Sequence, residues 1–254
     1  MTHAYDDTFF DWVDHTATRS ARAVLPLINQ LARPQSVVDV GCGRGAWLGV
    51  WASLGLEDIK GLDGDYVDRT KLAITPSAFE AVDLTSLWPV SRRFDLAQSL
   101  EVAEHLAPAV GPQFVQQLCA LSDVVMFSAA QPGQGGEMHY NERRPSYWAG
   151  LFAAQGYAAF DCLRPAIRTD KSVDPWYRFN TVVYANETGQ ARLAASATAT
   201  RVNDLADLDG GGNLVWKVRT MVLRPLPMHV VSALSRMRYS AVTAGSQARA
   251  ALKP

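Results

Sequence analysis

The chain has 254 residues, 48% hydrophobic and 19% charged, with 24 Lys/Arg against 25 Asp/Glu for a formal net charge of −1. That length suits one sizeable α/β domain, alone or with an appendage. Its three cysteines, Cys42, Cys119 and Cys162, are too few and too far apart for a disulfide framework or a Cys-x-x-Cys zinc site.

The first residues, Met1 to Asp7, are acidic where an export signal needs a basic start and an apolar stretch. No apolar run reaches the roughly 20 residues of a membrane span, so a soluble, cytoplasmic protein is expected. Tyr5 to Arg33 reads as a helix with Phe9, Phe10, Trp12 and Val13 near its start and Pro26 as a point for a kink. Residues 1–34 are thus expected to cap the sheet edge or a ligand pocket.

Short apolar runs then alternate with helical patterns, as βαβ construction requires. Strands are predicted over Ser36 to Val40, Ile59 to Leu62, Phe79 to Val82, Phe94 to Ser99, Val124 to Phe127, Ala158 to Leu163 and Thr181 to Tyr184. Several are unbroken Val/Leu/Ile/Phe runs, the pattern of strands buried on both faces. Helices are predicted over Ala46 to Leu54, Gly111 to Leu121 and Pro145 to Gln155, the last opening on Pro and closing at Gly156. The implied fold is a Rossmann-like, doubly wound seven-stranded sheet with helices on both faces, spanning residues 35–187.

Residues 188–254 read as a basic helical appendage. The chain holds nine Lys/Arg and three Asp from position 190 onward, a balance of +6, which leaves −7 for the first 189 residues. After a Gly-rich breaker at Asp209 to Asn213 come Leu214 to Leu223, the Pro225-Leu226-Pro227 punctuation, and a last pattern with Val230, Leu234, Met237 and Ala241 on one face. Fraying is expected from about Gly245. An acidic body with a basic appendage predicts docking of the one on the other, within one chain or across a homodimer, with peripheral contact to anionic lipid as the alternative.

The most informative run is Val37-Val38-Asp39-Val40-Gly41-Cys42-Gly43-Arg44-Gly45-Ala46-Trp47. An apolar strand enters a glycine turn that opens a helix, so backbone N–H groups and the positive helix end face a ligand over the strand's carboxyl end. With Ala46 in last place the run also fits the dinucleotide fingerprint, which brings NAD into consideration. Asp39 argues against it: a carboxylate there would face a pyrophosphate, whereas it suits the ammonium of a bound amino acid.

At these residues the sequence resembles the class I S-adenosylmethionine-dependent methyltransferases. Their first motif, an acidic residue, a hydrophobe and Gly-x-Gly-x-Gly, is matched by Asp39, Val40, Gly41, Gly43 and Gly45, with Cys42 inside the turn. The resemblance implies that Asp63, followed by Gly64 and with Asp65 as a neighbouring alternative, takes the ribose hydroxyls. It implies that Asp83, followed by Leu84, meets the adenine amino group. Phe94 to Leu106, with Ser99 and Leu100, matches the strand beneath the methionine moiety. Gly135 to Trp148 and Pro175 to Asn180 look like the corresponding runs of bacterial O-methyltransferases of saccharide and glycolipid pathways, except that Phe179 stands where Gln is expected.

A hydroxyl acceptor needs alignment with the methyl donor and a base for its proton. His139, on a Gly-rich loop beside Asn141 and Glu142, is the candidate base, with Glu142 orienting the ring and His105 as the rival. Glu101, Tyr147, Trp176 and Tyr177 are candidate acceptor contacts, the last two on an expected loop where they can stack on a sugar. Glu101, Glu104, His139 and Glu142 also form a ligand inventory for Mg²⁺. The expected function is transfer of a methyl group to a carbohydrate or similar small hydroxylated metabolite. A non-sugar acceptor, or a methyltransferase-fold binding or regulatory protein, is the alternative. Nucleic acid is not an expected partner, because the body is acidic and Ser99-Leu100-Glu101-Val102 replaces an Asn-Pro-Pro-Tyr type motif.

Overall fold

A computed structural model describes residues 7–227 and 230–234, with side chains from residue 14. Tyr5, the side chains of Phe9, Phe10, Trp12 and Val13, and the residues Met237, Ala241 and 245–254 lie outside the described residues.

Seven strands form one sheet: β1 (Ser36–Val40), β2 (Asp58–Asp63), β3 (Phe79–Ala81), β4 (Leu96–Leu100), β5 (Val124–Ser128), β6 (Ala158–Phe160) and β7 (Val182–Ala185). Their order is β3-β2-β1-β4-β5-β7-β6, parallel except for β7, which runs antiparallel to both neighbours. The predicted unbroken apolar runs are central: every residue of β4, β5 and β7 is buried. One face is covered by α1 (Asp7–Ala32) and α2 (Ala46–Ser53), where Leu25, Ile28, Leu48 and Trp51 pack. The other carries α3 (Gly111–Leu121) and α4 (Pro145–Ala154), around Phe114, Leu118, Trp148 and Phe152.

Strand order reverses between β1 and β4, and such a switch point opens a crevice at the strands' carboxyl ends. Asp39 of β1 pairs in register with Gly61 of β2 on one side and Gln98 of β4 on the other, at the floor of that crevice.

The remaining helices are α5 (Arg164–Ile167), α6 (Pro175–Asn180), α7 (Glu187–Arg192), α8 (Ala195–Thr198) and α9 (Leu214–Leu223). Three expectations change. Phe94 stands outside β4 and makes only an isolated bridge to Ser122. β6 stops at Phe160, and Pro165 lies in the first turn of α5. Trp176 and Tyr177 sit on α6, not on a loop, because Pro175 starts a helix where a missing N–H costs nothing.

The described part of the C-terminal segment lies against the body. Buried Arg164 donates to the carbonyls of Phe179 (3.2 Å) and Leu208 (2.8 Å). Asp209 accepts from the amide and hydroxyl of Ser146 at 2.9 and 2.8 Å. The Asn213 side chain caps α9, and buried Trp216 lies 5.4 Å from the Phe179 ring. Among the described residues no helix is long and apolar enough to cross a membrane.

Candidate active site

The turn after β1 uses three glycines with positive φ: Gly41 (82°), Gly43 (54°) and Gly45 (82°). A side chain at Gly41 would also collide with Val102, its Cβ lying 2.6 Å from Cγ1 and closer still to Cγ2. The Gly43 N–H donates to Asp63 Oδ2 at 2.6 Å, tying the β1 turn to the end of β2. Asp63 Oδ1 accepts from the Gly64 amide (2.6 Å) and the Tyr66 hydroxyl (2.5 Å). The Tyr66 donor, outside the motif runs, has no signal in the sequence. Tyr66 is 71% exposed, so its phenol is the group that can yield to a ligand's hydroxyl.

Asp39 is 3% exposed, and burial pushes its carboxyl up to about 7, with the Asp63 charge adding and the Gln98 side chain opposing. Burial likewise raises Asp63. Two neighbouring buried carboxylates at a strand end form a seat for a cation. An amino-acid ammonium at Asp39 and a ribose diol at Asp63 fit these groups, so the donor set suits S-adenosylmethionine.

The other cofactor candidates divide. Asp83 lies two residues past β3, exposed, with its carboxylate capping Thr85 N (2.9 Å) and Oγ1 (2.6 Å), and these bonds hold it low. Leu84 packs at the edge of the core. Ser99 is fully buried and donates to the Val40 carbonyl (2.8 Å), a bond that joins β4 to β1. Leu100 and Cys42 are also buried, and burial raises the Cys42 thiol.

A second cluster stands past the end of β4. Glu101 has φ 60°, a left-handed conformation uncommon outside glycine. Its amide donates to Ser128 O (2.9 Å), and its carboxylate accepts from Gln134 and from Asn180 (3.4 Å). Glu104 and His105 follow in a single 3-10 turn, Ala103–His105. The Glu104 carbonyl accepts the amides of Tyr140 (2.8 Å) and Asn141 (3.0 Å), which brings the His139 loop onto that turn. The His105 and His139 rings meet edge to face at 4.9 Å. His139 Nδ1 lies 3.1 Å from Glu142 Oε1, and Glu142 also accepts the amides of Gly133 (2.7 Å) and Gly135 (3.0 Å). The predicted His139–Glu142 pair is therefore present, and Glu142 shapes the loop as well. His105 reaches the surface, and partial desolvation with His139 beside it lowers its imidazole. Burial raises Glu101 and Glu104.

Tyr177 is buried on α6, edge-on to Trp47 at 5.1 Å, and burial beside Glu101 raises its phenol. Trp176 packs at the margin of the same core, and Tyr147 lies edge-on to core Trp148 with Arg143 over its ring. Gln134 and Asn180, the amides on Glu101, are additional site residues; both stand in or beside the motif runs, but nothing in a linear pattern aims them at one carboxylate. A cleft of about 640 Å³ shares Gln131 and Pro132 with this loop region and is walled by Arg144, Trp216, Lys217 and Arg224. There α9 meets the loop: at Gly133 (φ 84°) a Cβ would strike the Thr220 carbonyl oxygen.

A parallel sheet with one antiparallel strand, a glycine turn at the switch point and acidic residues ending β1 and β2 define a class I methyltransferase fold. Residues 13–160, more than half the chain, match the family model of the methyltransferase domain, and the chain belongs to that family. No curated protein matches the sequence. An O-methyltransferase family protein from Burkholderia thailandensis is similar in structure, with TM-score 0.53 and 12% identity over 72% of this chain and 61% of that one. Human N-acetylserotonin methyltransferase, solved with its cofactor, gives TM-score 0.50 and 13% identity over 70% of this chain and 55% of that one. A candidate O-methyltransferase from Nostoc punctiforme PCC 73102 gives 0.54 and 13% over 70% and 59%. The chain thus spans about three fifths of the length of these relatives.

Proposed function

We propose that the protein is an S-adenosylmethionine-dependent O-methyltransferase acting on a small hydroxylated acceptor, with a saccharide as the class the loop motifs favour. The observation that carries this reading is the pairing of the two sites: a glycine turn with buried Asp39 and Asp63, and a His139–Glu142 pair past the neighbouring strand ends.

When bound, S-adenosylmethionine supplies a methyl group on a positively charged sulfur; transfer forms one C–O bond, breaks one S–C bond and leaves a neutral thioether. Asp39 would hold its ammonium end and Asp63 its ribose, and the Gly43 amide fixes Asp63 for the task. His139 accepts the hydroxyl proton, so the positive charge ends on its imidazole, where the Glu142 carboxylate stabilises it at 3.1 Å. The cleft lined by Arg144, Lys217 and Arg224 would receive the rest of the acceptor; Arg144 pairs with Asp209 of the same wall at 3.6 Å, and Lys217 and Arg224 suit an acceptor that carries an anionic group. A divalent ion at the same cluster is a second route to the deprotonated hydroxyl, favoured by the bare Glu104 carboxylate. The protein would work in the cytoplasm, with a second copy or a lipid surface as a further partner of the basic segment.

Labelled S-adenosylmethionine with a panel of saccharide and non-saccharide hydroxyl acceptors tests the reading. Methyl transfer to a hydroxyl that falls at least about 100-fold in His139→Ala, with cofactor binding intact, is the expected result. Full activity of that variant would remove His139 as base.

A further inference from the structure

We propose that Glu104, His105 and His139 form a binding site for a divalent first-row transition-metal ion. Each residue offers one ligand atom, and these atoms lie within 4.8 Å of one another. The proposal rests on the reading above only in that an acceptor hydroxyl is delivered to this cluster.

Glu104 carries the argument. It is 1% exposed, and neither carboxylate oxygen has a hydrogen-bond partner among the described residues; the groups that favour its charge are two backbone amides, its own and that of Ala130. A buried carboxylate left bare costs more than almost any other single feature of a fold. The charges that reach it worsen its position, since they belong to two further carboxylates, Glu101 and Glu142. Glu101 is occupied by the Gln134 and Asn180 amides, and Glu142 by two backbone amides and His139. A cation is the group this pocket lacks.

The two imidazoles complete a donor set of metal-site form. A ligating histidine usually has its other ring nitrogen held by a carboxylate or backbone carbonyl, which fixes ring and tautomer. His139 has Glu142 in that role, 3.1 Å from its Nδ1. Among the described residues, Met138 and Glu101 are two of three non-glycine residues with positive φ, so backbone strain concentrates around the cluster. Cis ligands at about 2.0–2.2 Å from an ion stand about 3–3.5 Å apart, so loading draws the three side chains inward. The hinge for that movement is the His139 loop, with Gly133, Gly135 and Gly136. Two nitrogens and one carboxylate select Mn²⁺, Fe²⁺, Co²⁺, Ni²⁺ or Zn²⁺ over Mg²⁺, which prefers oxygen ligands. In the loaded site the ion would lower the pKa of a bound acceptor hydroxyl, whose proton would pass to solvent water in place of His139.

The test uses the full chain after chelation and gel filtration, titrated with Co²⁺ and followed by calorimetry and visible absorption, with Mg²⁺ as control. About one Co²⁺ per chain is expected, with a ligand-field band, a rise in melting temperature, and no displacement by millimolar Mg²⁺. Affinity should fall at least about 10-fold in Glu104→Gln and in His105→Gln, each checked for native circular dichroism. Two results would overturn the site: no saturable Co²⁺, Mn²⁺ or Zn²⁺ binding by the wild type, or binding unchanged in both variants. In either case cofactor binding and His139-dependent turnover after chelation would leave the methyltransferase reading standing. Loss of cofactor binding with Co²⁺ binding intact would mark the opposite failure.

Discussion

Gly41→Ala probes the cofactor turn at a point where two penalties can be separated. At φ 82° any residue with a Cβ is strained, at about 1–2 kcal/mol. The new methyl would also overlap the Val102 side chain, lying 2.6 Å from Cγ1 against a normal carbon separation of about 3.5–4.0 Å. Relieving such overpacking costs about 1–3 kcal/mol, for a total near 2–5 kcal/mol. In a chain of this size that lowers the melting temperature by about 4–20 °C. Val102 leads into the turn that carries Glu104 and His105, so its displacement reaches the second cluster too. Adding Val102→Ala removes the collision and leaves the strain. The double variant should therefore recover about 1–3 kcal/mol relative to the sum of the singles, measured by denaturant unfolding, while cofactor binding recovers only in part. Strict additivity, or a Gly41→Ala protein of wild-type stability, would refute the reasoning.

Asp39 makes stability depend on pH. Its folded pKa of about 7 exceeds the ordinary 3.8, so the folded state binds the extra proton and stability is lost as pH rises from about 4 to about 7. The loss is at most about 4 kcal/mol, and Asp39→Asn should flatten the unfolding profile over that window; an unchanged slope would contradict the assignment. Ammonium binding at Asp39 should also expel up to about half a proton at pH 7, visible as different calorimetric enthalpies of S-adenosylmethionine binding in phosphate and Tris; equal enthalpies would argue against that contact. Trp216→Ala removes a buried ring that packs on Phe179 and should cost about 3–5 kcal/mol. It should also open α9 to proteolysis; a variant cut no faster than wild type would show that Trp216 does not hold α9 down.

Local patterns made the cofactor half of the site readable. The spacing Asp39 to Gly45 fixes a turn within one strand-to-helix connection, and Asp63 follows from where β2 must end. The acceptor half depends on contacts distant in sequence. That Glu104 lies buried without a partner follows from the 3-10 turn after β4 and the loop amides that cover it, neither of which has a linear signature. Trp176 and Tyr177 were expected on a loop, yet Pro175 is well suited to open α6, a helix of only six residues with little periodicity to read. The Tyr66 hydroxyl on Asp63 and the seating of α9 against Gly133 arise from packing alone.

The most direct measurement is equilibrium binding of S-adenosylmethionine to the purified chain, with Asp63→Asn beside it. One saturable site per chain is expected, weakened about 10- to 100-fold in the variant by the loss of charge-assisted hydrogen bonds worth about 1.5–3 kcal/mol. Absence of saturable binding up to millimolar cofactor, or equal affinity in a folded variant, would contradict the account.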